Sequence, residues 1–171
     1  VPVAGQLHEA YNKMVERLCH LQVFNSKERA VTKLDRILVP TDFSDNSKAA
    51  LDYAVGLAEK FGADIYLVHV IANDTAVAMG SDGFFSVSND IMQELRDGVE
   101  RQLEETAKAI AGSVGNVVRE VREGAPFVEI VKYAKAEDID LIVLGTHGRT
   151  GISHLLIGSV AEKVVRKARC P

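Results

Sequence analysis

Three short apolar runs constrain this chain more than any other feature in it. They are Leu34-Asp-Arg-Ile-Leu-Val-Pro40, Asp64-Ile-Tyr-Leu-Val-His-Val-Ile71 and Asp140-Leu-Ile-Val-Leu-Gly145. Runs this brief and this continuous read as strands buried on both faces, because a helix of that burial would need more residues. Between the first two lies a helical segment. Ser44 stands at its N-cap, Ala50, Leu51, Ala54, Leu57 and Ala58 share one face, and Gly62 occupies the C′ position. Strand, helix and strand make a βαβ unit, whose crossover is right-handed.

The remaining residues extend that theme. Residues 72–88 are small, polar and glycine-containing, and read as a mobile loop. A helix is predicted from Asn89 to Ala111, with Ile91, Leu95, Val99, Leu103 and Ala107 at intervals of four. Residues 116–122 set Val117, Val118 and Val121 among Arg and Glu, as an exposed-edge strand does. Pro126 suits the first turn of a helix running to Ala136, and a last helix is expected from Ile157 to Ala168. The four cations between Lys163 and Arg169 then fall in its final turns, where they complement the helix dipole. The order βαβαβαβα predicts an α/β fold, a doubly wound parallel sheet with helices on both faces.

Composition narrows the function classes. The formal net charge is −4 with no basic run, which argues against a nucleic-acid surface. No apolar run approaches the length that spans a bilayer, and no signal peptide is apparent, so a soluble, cytoplasmic chain is expected. The two cysteines, Cys19 and Cys170, lie far apart without metal-ligand spacing. The chain opens on Val1 and closes on Cys170-Pro171, a pattern expected of a processed or excised chain. Its domains are read as an N-terminal helical extension, residues 1–33, and a domain over residues 34–171. In the extension, Leu7, Tyr11, Met14, Leu18 and Leu21 form an apolar seam that would pack on its own domain or dock a partner.

Open α/β sheets bind ligands beyond the carboxyl ends of their strands. Two segments stand there, Pro40-Thr41-Asp42-Phe43-Ser44 and the stretch from Gly145 to Ser159. In the second, Gly145 and Gly148 leave a strand and Gly158 and Ser159 enter a helix. Glycines let backbone N–H groups approach a ligand, and a helix N-terminus favours an anion, so the segment reads as a phosphate cradle made of backbone. No GxxxxGK[ST] occurs, and no GxGxxG follows the first strand. His147 and His154 lack a carboxylate at a spacing that would complete a metal site, and no catalytic triad has motif support.

The pattern G-x2-G-x9-G-[ST], formed by Gly145, Gly148, Gly158 and Ser159, resembles the nucleotide-binding signature of the universal stress protein family. Ile37-Leu-Val-Pro-Thr-Asp-Phe-Ser44, His69-Val70 and Gly158-Ser-Val-Ala-Glu-Lys-Val164 resemble the same family, so the likeness covers residues 34–171. The resemblance implies a Rossmann-like sheet in order 3-2-1-4-5 with the cleft between strands one and four. The fifth strand has no counterpart here after Pro171, which leaves order 3-2-1-4 and puts the family's homodimer in question. By position, Pro40, Thr41 and Asp42 would contact adenosine, Val70 would border adenine and Leu144 would wall its pocket. Gly145, His147, Gly148 and Arg149 would approach ribose and phosphates, with Gly158, Ser159 and Val160 at the phosphate end. The implied ligand is ATP, ADP or AMP, a triphosphate arriving with Mg2+. Arg149 is the one cation in the loop, so any hydrolysis is expected to be slow. The expected function is a regulatory, stress-responsive nucleotide binder with no catalytic residue. A slow ATPase and a non-catalytic docking module are the alternatives.

Overall fold

A computed structural model describes residues 33–72, 77–80, 83–86, 89–146 and 158–171. The chain divides into two units, Val1–Lys33 and Leu34–Pro171, and the apolar seam of the extension lies outside the described residues.

β1 (Arg36–Pro40) is the first buried run, and its centre, Ile37, Leu38 and Val39, is fully shielded from solvent. α1 (Asp45–Phe61) follows, capped by Ser44, whose hydroxyl accepts from the Ser47 N–H. It stops at Gly62, which takes the left-handed conformation at φ 69° and donates to the Ala58 carbonyl. β2 (Asp64–Ala72) lies parallel to β1 in the register Arg36 to Asp64 through Pro40 to Val68. The segment after it departs from the loop expected over residues 72–88. β3 (Val77–Gly80) and β4 (Gly83–Ser86) pair antiparallel as a separate two-stranded sheet. Composition suggested a loop because strand pairing across so short a span leaves little signal beyond its glycines.

α2 (Asn89–Ile110) returns the chain to β5 (Val117–Gly124), then α3 (Pro126–Ala136), β6 (Leu141–Ile142) and α4 (Ser159–Lys167) complete the domain. Among the described residues the main sheet has the order β5-β2-β1-β6, all parallel, which is the predicted 3-2-1-4 arrangement of a Rossmann-like α/β fold. β5 occupies the edge, as its mixture of valines and charges predicts. The expected strand Asp140–Gly145 is paired only at Leu141 and Ile142. Beyond them Val143 N–H still donates to Leu38 O, but on the outer side Ile142 N–H meets the carbonyl of Pro171 at 2.9 Å.

Strand alternation divides the core between two faces. Leu38, Tyr66, Val68 and Ile142 pack with Ile130, Tyr133, Ala134 and Ile139 around α3, and with Val164 of α4. Ile37, Val39, Ile65 and Leu67 alternate with them, on the face covered by α1 and α2. Each fully buried Leu, Ile or Val contributes about 1.5–3 kcal/mol. Among the described side chains of α2 only Val99, Leu103 and Ala107 are buried; Ile91 and Leu95 are 58% and 42% exposed. A 22-residue helix reaches about 33 Å. The eight-residue strand beneath it reaches only about 26 Å, so one end overhangs. No described helix is long and apolar enough to cross a membrane.

Candidate nucleotide cleft

β1 is the strand at which the strand order reverses: its successor β2 lies on one side and β6, from the far end of the domain, on the other. Asp140 ties the two together at the base, its Oδ2 accepting the N–H groups of Asp35 and Arg36, both at 2.9 Å. Above, their carboxyl ends diverge, and a cleft opens where this topology requires one.

One wall is the connection from β1 to α1. Thr41 N–H still donates to Val68 O, and then the chain turns sharply at Phe43, a non-glycine residue at φ 64°. Such a conformation costs about 1–3 kcal/mol and needs surrounding contacts to hold it. They are present. Phe43 N–H donates to Thr41 Oγ1 at 3.0 Å, and Asp42 Oδ1 accepts from both the N–H and the hydroxyl of Ser44, at 3.1 and 2.6 Å. The hydroxyl directions follow from the acceptors. Ser47 Oγ donates to the Ser44 carbonyl at 2.8 Å, so the 3.1 Å bond between Thr41 and Ser47 runs from Thr41. From β2, His69 places Nδ1 2.8 Å from the Thr41 carbonyl and stacks on the Phe43 ring, 4.8 Å between centroids.

The opposite wall is made chiefly of backbone. Gly145 leaves β6 against the first turn of α1, where a Cβ would stand 3.1 Å from the carbonyl carbon and oxygen of Asn46. Any larger residue would push strand and helix apart. Gly158 N–H donates to Thr146 O at 2.7 Å, and Gly158 then caps α4 with no side-chain bond to its first turn. The N–H groups of that turn are therefore directed out of the helix end toward the cleft. Lys163 stands over the Phe127 ring at 5.1 Å and fastens α4 to α3.

The cleft between these walls measures about 280 Å³. Its floor and sides are apolar, from Pro40, Val68, Val70, Pro126, Ile130, Leu144, Val160 and Ala161. Its polar groups are Thr41, Asp42, Ser47, His69, Thr146 and Ser159. The model of the universal stress protein family matches residues 33–171. The chain belongs to that family.

Universal stress protein MJ0531 of Methanocaldococcus jannaschii is 33% identical over 136 residues, 80% of this chain and 78% of its own. The solved structure of hypothetical protein MJ0577, from the same organism, superimposes with a TM-score of 0.70 at 28% identity, covering 81% of this chain and 93% of that one. A universal stress protein solved in complex with cAMP superimposes with a TM-score of 0.60 over 81% of this chain and 94% of its own. At 23% identity that likeness is one of fold.

Within this family domain, nine residues singled out from sequence line the one cleft: Pro40, Thr41, Asp42, Val70, Leu144, Gly145, Gly158, Ser159 and Val160. His147, Gly148 and Arg149 lie outside the described residues, as does His154. The reading missed the lining contributed by Ser47, Val68, His69, Pro126, Ile130, Thr146 and Ala161. Thr146 sits inside the glycine motif and Ala161 two residues past its end, so both were within reach of sequence reasoning. Pro126 and Ile130 come from a helix that only the folded sheet brings over the cleft.

Proposed function

We propose that this chain is a regulatory adenine-nucleotide-binding member of the universal stress protein family, with ATP or ADP in the cleft between β1 and β6. One observation carries the reading. An apolar slot and a backbone-built anion site, the glycines and the α4 N-terminus at Gly145 and Gly158–Ser159, open into the same cleft. The first suits a flat base, and the second suits phosphates. Asp42, at the opposite wall, suits a sugar hydroxyl or a base N–H. The volume lies near the lower end of ligand sites, about 300–1,000 Å³. The protein of this fold solved with cAMP supports an adenine nucleotide as the ligand class.

The described polar lining consists of hydroxyls, one carboxylate and one imidazole. Such a set binds and orients; it supplies little to stabilise charge developing in phosphoryl transfer. Any hydrolysis is therefore slow, and the bound nucleotide acts as a signal. Among the described residues no three His, Cys, Asp or Glu side chains gather to hold a metal. Mg2+ would enter with the triphosphate, held by its oxygens and water, with Ser159 a protein hydroxyl at the phosphate end. Homodimerisation in a cytoplasmic setting belongs to the same reading, and mass in solution tests it.

The deciding experiment denatures freshly purified protein and identifies any released nucleotide by chromatography and mass. ATP or ADP near one equivalent per chain is expected. A protein that carries none and ignores millimolar Mg-ATP would defeat the reading.

A further inference from the structure

Asp42 sits between two residues that answer to the same side chain. On one flank the Thr41 carbonyl accepts a hydrogen bond from His69 Nδ1 at 2.8 Å. On the other, the Phe43 ring lies on the His69 ring at 4.8 Å and 17°. We propose that His69 is a positioning residue: it holds the turn from Thr41 to Ser44 in the shape that presents Asp42 to the cleft, and thereby sets nucleotide affinity. The inference rests on the nucleotide reading above and assigns a role that the glycine signature does not contain.

The geometry argues for a fixed role rather than for core filling. A carbonyl only accepts, so Nδ1 carries the hydrogen and the tautomer is determined. His69 is 7% exposed in a strand whose neighbours Val68 and Ile71 are buried and apolar. A polar ring in that setting is unfavourable unless it is bonded, and a Leu would fill the space at less cost. Phe43 meanwhile occupies a backbone region that few L-residues adopt, φ 64°. Such turns persist where contacts over-determine them. His69 supplies two of those contacts from a different strand, one through its edge and one through its face. The turn's own bonds, from Phe43 N–H to Thr41 Oγ1 and from Ser44 to Asp42, are local and form only once the chain has already bent. Together with the Thr41 N–H bond to Val68 O, His69 ties the turn to β2, and it supplies the side-chain part of that long-range restraint.

The test compares His69→Leu, which keeps bulk and removes the donor, with His69→Asn, whose amide can replace Nδ1 as donor. Two readouts are taken: ADP affinity by calorimetry, and amide exchange at Phe43 and Ser44 by NMR without ligand. In His69→Leu both amides are expected to exchange faster and ADP to bind about tenfold more weakly. His69→Asn is expected to recover both to within about threefold. Unchanged exchange in His69→Leu, or faster exchange with unchanged affinity, would overturn the proposal, and so would an Asn variant no better than Leu. If wild-type protein binds no ADP, the nucleotide reading falls by itself, while the exchange rates still decide whether His69 holds the turn. Should His69→Leu fail to fold, Phe43→Ala removes the stack from its half-exposed side. It is expected to speed exchange at Ser44, and an unaltered rate there would count against the clamp.

Discussion

The two walls of the cleft are built by opposite means. The wall from Thr41 to Ser47 is held by side chains: a hydroxyl relay, a carboxylate accepting twice from Ser44, and an imidazole bracing the turn from β2. The wall formed by Gly145, Thr146 and Gly158 works through missing side chains and backbone groups, with Gly145 pressed on Asn46 and Gly158 bonded to the Thr146 carbonyl. The first can be tuned one atom at a time, since each hydroxyl has a named donor and acceptor. The second is tight at Gly145, where an added Cβ would force the Asn46 backbone to give way, but it asks little of side-chain chemistry. A site for a nucleotide gains from both, because a base and sugar need directed groups while phosphates need uncovered N–H groups and space.

Substitutions can break that contrast. The largest effect is expected in the glycine-rich segment. Gly148→Val, in the glycine motif though outside the described residues, should abolish ADP and ATP binding in calorimetry while the circular dichroism spectrum is retained. Undiminished affinity in the folded variant would remove the glycine motif from the site. Gly145→Val comes next and should act on the fold itself. Its new Cβ would meet the Asn46 backbone at 3.1 Å, an overpacking expected to cost about 1–3 kcal/mol in urea denaturation. A neutral result would show that strand and helix can separate freely there.

In the side-chain wall, Ser44→Ala removes both the cap of α1 and the 2.6 Å partner of Asp42. About 1 kcal/mol of stability should be lost, with nucleotide affinity weakened less than by the glycine change. A loss of affinity equal to that of Gly148→Val would erase the distinction between the walls.

The smallest effect sharpens the comparison from outside both walls. Glu129, nearly buried, accepts from Lys132 at 2.9 Å and from Arg122 at 3.0 Å. These partners, Lys132 first, hold its carboxyl below the ordinary value of 4.5. With the folded-state value depressed, the unfolded chain takes up the proton first. The stabilisation is therefore present above pH 4.5 and is lost as pH falls through the lowered value. Glu129→Gln should cost under about 1 kcal/mol at pH 7, flatten the acid side of the stability profile, and leave nucleotide affinity unchanged.

Local chemistry was legible in the sequence. The Ser44 cap, the Gly62 stop and the Pro126 start each depend on one residue's conformational or hydrogen-bonding preference, and all three stand where predicted. The first two buried runs likewise form β1 and β2, because burial on both faces of a sheet leaves an unbroken apolar string. What sequence left unread depends on partners distant in the chain. Asp140–Gly145 looked like a six-residue strand, yet only Leu141 and Ile142 pair with β1. Ile91 and Leu95 keep the helical period and still face solvent, since periodicity reports a face and not the length of the sheet beneath it. The glycine motif was visible as spacing, whereas His69 counted only toward the family resemblance and was given no site role, because a single histidine in an apolar run signals nothing until Thr41 and Phe43 are set against it.

The pairing of β1 with β6 also governs the order in which this protein can come into being. Ile37 finds its partner in Leu141, and Arg36 finds the Asp140 carboxylate 104 positions later in the chain. Contacts so distant are slow to form, because the intervening chain must first be brought to order. On a ribosome that delivers residues from the N-terminus, β1, α1 and β2 emerge early as a βαβ unit with one side of β1 unpaired. That side is satisfied only after β6 has been released. The cleft lies on this seam, so it is among the last features to be completed, and a nucleotide could be received only by a domain whose synthesis has passed α4.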